Sequence, residues 1–296
     1  ASDDAIGWIL DAAQRLAGAG ISAAEHAAPH EPVHLESVFN RFGAADGPKE
    51  GFPAQCLTDA SGMLFPQPLA DVQGAEQGLR ALYDTFADHF ARKSPVHMPL
   101  GELLRVLEET MSYVPSPAGA DIALYDYARM TAAYAAALHR YAAAQDIHSA
   151  HTYEERGGAT LPAFLLVSAD ISGIQPFIYA IPSKGALKSL RGRSFYLEIL
   201  LENIVDEILS ACGISRSALL YTGGGHFYLL LPNTEDVQNL LARCHTEVNS
   251  WMLEHFGSSL YLAMAWTACT GAELVGQGTQ EAFRRVSEGL SAEKLC

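Results

Sequence analysis

Cysteine is scarce in this sequence, and the five cysteines lie far apart without a Cys-x-x-Cys pair. This spacing is typical of reduced thiols, and it argues against a metal cage built from this chain alone. No apolar run approaches the roughly eighteen residues that span a bilayer. The N-terminal residues lack the basic start and apolar stretch of a signal peptide. We therefore expect a cytoplasmic protein with no membrane partner.

Two short catalytic motifs are also missing. A metal-dependent HD phosphohydrolase needs adjacent His and Asp ligands, but the chain has no His-Asp dipeptide, and Asp88-His89 is in the reverse order. A palm-type nucleotidyltransferase needs a second carboxylate at the tip of its central hairpin, where this chain has Gly225 and His226. We predict no catalytic residue in this chain.

Basic residues are outnumbered, since the formal net charge is −15. Indiscriminate binding to nucleic acid is disfavoured, because affinity for phosphate backbones comes from clustered Lys and Arg. Residues 171–197, however, contain no acid, and four basic residues fall within ten positions of that segment. They form either a solvated basic face or a contact with phosphates or RNA. These residues are Lys184, Lys188, Arg191 and Arg193.

Composition and patterning indicate a globular chain with two differently built halves. Apolar residues make up 49% and charged residues 18% of the sequence. Residues 1–145 show apolar positions at helical spacing, residues 146–162 are a polar linker, and residues 163–296 alternate between strands and helices. Within the first half, residues 43–74 are dense in Gly and Pro and predict an exposed insertion. The fold class predicted is α+β.

The second half has the element order of a ferredoxin-like palm. A buried strand, 164–170, precedes a short helix and a long amphipathic helix, and two strands then join through glycines. Thr234 is expected to cap the next helix, and 260–269 forms a last buried strand. The order βα(α)ββαβ is that of palm and cyclase domains.

Candidate nucleotide-binding residues follow the first strand and line the hairpin. Asp170 ends an apolar strand, where a carboxylate needs a metal, a cation or helix N–H groups to stay charged, so it is a candidate metal ligand or a helix N-cap. The residues after it would open a helix toward a phosphate. Three hairpin glycines exceed what a two-residue turn requires and suggest close approach of a backbone or ligand. The set comprises Asp170, Ile171, Ser172, Gly173, Ile174, Gln175, Gly223, Gly224, Gly225 and His226.

The amino-acid sequences of three segments resemble those of one family. Asp170 to Tyr179, Ser183 to Glu198 and Gly223 to Leu230 are similar to the first palm of the large, polymerase-like subunit of type III CRISPR effector complexes. The Csm (III-A) branch is the most similar, and weaker likeness extends over most of the chain. The resemblance implies antiviral defence, ATP bound between two palms, and Mg or Mn held by the second palm. It implies partnership with other subunits, guide RNA and target RNA.

Members of that family also cut single-stranded DNA and make cyclic oligoadenylates. Because this chain has neither the His-Asp nor the Gly-Gly-Asp-Asp motif, it looks like the connector after the nuclease region plus a catalytically degenerate first palm. The start at Ala1, without methionine, favours a partial chain. Two alternatives stay open: an interaction module with a vestigial nucleotide pocket, and a degenerate sensor resembling diguanylate cyclases.

Overall fold

The computed structural model describes residues 6–18, 34–42, 47–57, 65–72, 74–93, 97–179, 186–276 and 278–294. The helices in chain order are α1 (Gly7–Ala17), α2 (Ala75–Arg92), α3 (Leu100–Met111), α4 (Leu124–Ala144), α5 (Ala150–Glu155), α6 (Ile174–Tyr179), α7 (Ala186–Cys212), α8 (Glu235–Phe256) and α9 (Gly278–Glu293). The strands are β1 (Leu35–Glu36), β2 (Glu50–Phe52), β3 (Gln67–Pro68), β4 (Pro115–Ser116), β5 (Gly119–Ala123), β6 (Phe164–Ser172), β7 (Leu219–Gly223), β8 (His226–Pro232) and β9 (Tyr261–Cys269).

The chain forms two compact units. The palm unit comprises Ala1–Leu16 and Ala132–Cys296, and the insert unit comprises Ala17–Thr131. The segment predicted as a linker contains α5, whose Tyr153 is buried and packs its ring on Trp8 at 5.1 Å. The predicted domain boundaries, with a helical half at 1–145, a linker at 146–162 and a palm at 163–296, stay a prediction. None of the described helices has the length and apolarity needed to cross a membrane.

The palm unit is built on a four-stranded antiparallel sheet in the order β7-β8-β6-β9. This order, with α7 between the first two strands and α8 before the last, is ferredoxin-like, so the predicted α+β palm is confirmed. Strand β6 extends two residues beyond the predicted end, because Ser172 still pairs with Tyr261 of β9. Thr234 caps α8 as expected, accepting a bond from the Val237 N–H at 3.4 Å.

One face of this sheet carries the main apolar core. Since side chains alternate along a strand, Val167, Ala169 and Ile171 of β6 share a face, and all are at most 2% exposed. Helices α7 and α8 cover it with Leu201, Val205, Leu241 and Met252. Burial on this scale supplies the main favourable term in folding.

The opposite face is covered by α9 and carries polar side chains. Ala282, Val286 and Leu290 of α9 are buried, at helical spacing. Phe283 packs its ring on Tyr228 of β8, with centroids 5.0 Å apart. Helix α9 therefore lies over the strand positions that alternate with the apolar core.

The outer edge of β9 is bonded by side chains of α8. Asn249 donates to the Leu262 carbonyl at 2.9 Å and accepts from the Leu262 N–H at 2.8 Å. His245 Nε2 lies 2.9 Å from the same carbonyl oxygen. The backbone groups of Leu262 that face away from β6 are thus satisfied.

The insert unit is helical with two small sheets. Strands β1, β2 and β3 form one antiparallel sheet, and β4 pairs with β5. These strands were not expected: β2 and β3 fall in the segment predicted as an exposed insertion, and β4 and β5 lie in the half predicted to be helical. Arg41 pairs with Asp121, and this hydrogen bond outweighs burial and lowers the pKa of the carboxyl.

Candidate functional site

The register of the sheet brings Asp170 and His226 together. Asp170 of β6 lies opposite His226 of β8, and both side chains point to the face under α9. His226 Nδ1 lies 3.5 Å from Asp170 Oδ1, while its Nε2 lies 2.9 Å from the Ser168 hydroxyl. With the proton on Nδ1, the ring donates to the carboxylate and accepts from the hydroxyl. The ring also packs on Tyr228 at 4.6 Å.

A lysine from the far end of the chain completes this cluster. Lys294 Nζ lies 2.7 Å from Asp170 Oδ2. Burial by itself raises the pKa of Asp170, but hydrogen bonds from His226 and Lys294 outweigh it and hold the pKa below its usual range. Asp170 lies within β6, three residues before Gly173, the residue that precedes α6. It is therefore not at the N-cap position of that helix, and its counter-charge comes from a side chain.

The three hairpin glycines are needed by the chain itself. Gly223 pairs with His226, which leaves Gly224 and Gly225 as a two-residue turn with φ of 62° and 88°. The Gly225 carbonyl accepts from the Ile171 N–H at 2.8 Å. A Cβ at position 225 would lie 2.1 Å from the Ile174 side chain. The close approach predicted from the glycines is therefore made by the end of β6 and the start of α6.

Gly173 also makes a close approach within the chain. Its φ is 88°, and a Cβ there would lie 2.0 Å from the Ser259 carbonyl oxygen. Helix α6, which follows, has only six residues, and Gln175 on it is exposed. Gly173 therefore lets the end of β6 pack closely against Ser259, just before the start of β9.

The four predicted basic residues separate. Lys184 lies outside the described residues, and Lys188 and Arg191 are exposed on α7. Arg193 instead turns toward α6, where its guanidinium donates to the Phe177 carbonyl and lies 5.0 Å from the centre of the Phe177 ring. Of the described three, Arg193 alone is held by such contacts.

Arg193 and Gly173 line a pocket of about 680 Å³, a volume within the usual range for small-molecule sites. Phe177 and Phe256 provide aromatic surface, packing edge-to-face with centroids 5.6 Å apart. His255 Nδ1 lies 2.9 Å from the Trp251 carbonyl, and its ring stacks on Trp251. The remaining lining residues are Pro176, Ser258 and Ser259. The sequence predictions missed this part; the signal present was Gly257, which ends α8 between His255-Phe256 and two serines.

The side chains around Asp170 provide few ligands for a metal ion. No group of three or more His, Cys, Asp or Glu side chains converges anywhere in the described ranges. Mg²⁺ prefers an octahedron of oxygen ligands, and an ammonium group already lies against one carboxylate oxygen. Among the described neighbours only His226 is a residue type that commonly binds metals, and the metal role of Asp170 stays a prediction.

Comparisons of the sequence and of the fold with known proteins both find Csm1 proteins. Residues 163–296 match the family model described as Csm1 subunit domain B. A CRISPR system single-strand-specific deoxyribonuclease Cas10/Csm1 (subtype III-A) of Mycobacterium tuberculosis is 36% identical over 288 residues, which are 90% of this chain and 35% of the relative.

The solved structures with a similar fold also contain Csm1. A Csm1-Csm4 cassette in complex with pppApA is 30% identical with a TM-score of 0.78, covering 97% of this chain and 37% of that one. A Csm1-Csm4 cassette in complex with AMPPNP has a TM-score of 0.76 at 30% identity and covers 97% and 36%. The chain spans about a third of the length of the curated relative. It is thus related over nearly its whole length to part of the large Csm1 (Cas10) subunit of type III-A CRISPR systems, and its residues 163–296 correspond to domain B of that subunit.

Proposed function

We propose that the palm unit is the nucleotide-binding first palm of a Csm1-type subunit, and that it binds ATP without holding a metal ion itself. The observation that carries this proposal is the pocket at Gly173 and Arg193. A guanidinium is suited to phosphate, aromatic surface is suited to a base, and the volume suits a nucleotide. Solved relatives in complex with AMPPNP and with cA4 support nucleotide binding.

The likeness extends the proposal to the longer protein. Relatives are named single-strand-specific deoxyribonucleases, and structures of the cassette hold cyclic and linear oligoadenylates. We propose that the whole subunit is a cytoplasmic antiviral effector that binds guide and target RNA and makes cyclic oligoadenylates, with Mg or Mn on its second palm. Csm4 appears beside Csm1 in the solved cassettes, which supports partnership with other subunits.

Calorimetric titration tests nucleotide binding. ATP and GTP are titrated into the chain with and without magnesium, and Arg193→Ala is compared with Arg191→Ala on the same helix. We expect ATP to bind more tightly than GTP, and Arg193→Ala to weaken ATP binding by about tenfold, since a charge-assisted contact is lost. Arg191→Ala is expected to stay within about twofold, because Arg191 is exposed.

Three results would contradict the proposal. Equal losses in Arg193→Ala and Arg191→Ala would move phosphate contact out of the pocket. A GTP preference would favour the sensor alternative. If the chain alone binds neither nucleotide, the same pair of variants in the longer subunit decides: an unchanged ATP affinity in Arg193→Ala there rejects the pocket.

An interaction module is the second candidate, and exposed apolar side chains favour it. Phe195 and Ile199 lie one turn apart on α7 and are 68% and 52% exposed. Large apolar side chains clustered at a surface are typical of contact with another protein. Under this alternative, Phe195→Ser with Ile199→Ser would prevent assembly with other subunits while ATP binding stays unchanged.

A further inference from the structure

Asp170 is a carboxylate in the middle of a sheet, and it needs a counter-charge. Its strand neighbours are His226 on β8 and Ala263 on β9, and its side chain is only 20% exposed. An ionised carboxylate in such a place is costly unless it is paired and hydrogen-bonded. The partner of this carboxylate therefore decides what the site can do.

Lys294 reaches Asp170 from a fixed direction. It follows α9 directly, and its N–H donates to the Leu290 carbonyl at 3.2 Å. Its own carbonyl accepts from the Tyr261 hydroxyl at 3.2 Å. Because Leu290 is buried against the sheet, the backbone of Lys294 is anchored on both sides. Its ammonium then lies 2.7 Å from Asp170 Oδ2.

The other carboxylate oxygen is engaged as well. His226 faces Oδ1 at 3.5 Å and is itself fixed by Ser168 at 2.9 Å. A divalent ion at Asp170 would have to displace an ammonium held at hydrogen-bond distance, since two cations this close repel strongly in a partly buried site. Ala263, the neighbour on β9, has no side-chain oxygen with which to complete a coordination shell.

We propose that Lys294 is a built-in counter-cation for Asp170, and that its ammonium stands where a metal-binding palm would hold a metal ion. The cluster of Asp170, His226 and Lys294 then serves to fasten α9 across the sheet. This inference does not depend on nucleotide binding, so it can fail or succeed separately from the proposed function.

A double-mutant cycle on the whole chain measures the pairing. Lys294→Met and Asp170→Asn are each expected to raise the unfolding equilibrium constant, because each leaves the other charge unpaired. The double variant should fall short of the summed losses, with a coupling of about tenfold in that constant by urea unfolding. Lys294→Arg should keep most of the wild-type stability. The exposed pair Arg284 and Glu281 is a matched control on α9, with an expected coupling below about twofold.

Manganese binding followed by electron paramagnetic resonance supplies a second readout. The wild-type chain is expected to show no Mn²⁺ bound at Asp170 up to about 1 mM, a weak-site concentration for hard cations. Mn²⁺ binding in the wild type that disappears in Asp170→Asn would overturn the proposal. Additive losses in the cycle would overturn it too, whatever the manganese result.

Discussion

Asp170 and Arg193 lie in the same palm unit, but they meet their electrostatic needs differently. The carboxylate of Asp170 is neutralised inside the chain by Lys294 at 2.7 Å, and His226 lies 3.5 Å from its other oxygen. The guanidinium of Arg193 contacts a carbonyl and an aromatic ring, neither of which carries a charge. A charge with an internal partner stabilises the fold, whereas a charge whose contacts are all neutral remains able to attract an anion.

Residues that form one motif in the sequence therefore lie in two different sites of the folded chain. Asp170 and Gly173 are three residues apart, yet Asp170 faces α9 while Gly173 lines the pocket beside Arg193. They are separated because side chains alternate between the two faces of β6, and because the chain turns at Gly173 after the strand ends. Polar residues that are neighbours in a motif can therefore carry unrelated roles.

The largest expected effect comes from changing Gly173, which lines the pocket but has no part in the Asp170 cluster. Gly173→Ala places a Cβ about 2.0 Å from the Ser259 carbonyl at a φ of 88°. Because backbone must move to relieve this clash, we expect a loss of about 3 kcal/mol in the free energy of unfolding. Urea unfolding measures it.

Gly224→Ala is the control for that loss. Its φ is 62°, and a Cβ there meets nothing within 4 Å. Only the cost of the left-handed conformation remains, about 1 kcal/mol. Equal losses in Gly173→Ala and Gly224→Ala would show that the approach of Ser259 is unimportant.

The two charged groups should respond differently to salt. Raising the ionic strength from about 0.05 M to about 0.5 M shortens the screening length severalfold and should weaken ATP binding at the open Arg193 pocket by about three- to tenfold. The coupling between Asp170 and Lys294, which is partly buried, should change by less than about twofold. Calorimetry and the mutant cycle, each repeated at both salt concentrations, test this contrast; an equal response of the two groups would remove it.

The smallest expected effect concerns the other attachment of α9, where Arg285 pairs with Glu273 at 2.9 Å. The Thr270 N–H, aided by Arg285, holds the pKa of Glu273 below its ordinary value of 4.5. Its stabilisation is therefore complete above pH 4.5 and is lost as the pH falls through the lower folded-state value. Glu273→Gln should flatten the acid limb of stability by less than about 1 kcal/mol, since the pair is about a third exposed.

Urea unfolding between pH 5 and pH 3 measures that flattening, with exposed Glu198→Gln as the matched control. A steeper acid limb in Glu273→Gln would show that Glu273 is not stabilising as a carboxylate. Equal flattening in both variants would assign the effect to overall charge.

Strong periodicity made the palm predictable. The apolar run of β6, the long amphipathic stripe of α7 and the glycine hairpin fixed the element order, and the sheet order confirms the ferredoxin-like fold. The short strands of the insert unit were not predicted, because two or three residues are too few for an alternating pattern to be recognised.

The site was predictable only in kind. An apolar strand ending in Asp170 indicates that some cation must be nearby, but Lys294 is far away in the chain and only the packing of α9 brings it there. The pocket depends likewise on His255, Phe256 and Ser259, which approach α6 through the end of α8. The nucleotide roles of the residues from Asp170 to Gln175 and from Gly223 to His226 stay predictions.

The bonds between Asn249 and Leu262 have a consequence for how this palm coexists with other domains. A side-chain amide that both donates to and accepts from one residue imitates a neighbouring strand. It ends the sheet at that position with a helix, where a foreign strand could otherwise join. The outer edge of β9 at Leu262 is therefore already occupied, and a strand of another sheet would have to displace Asn249 before it could pair there.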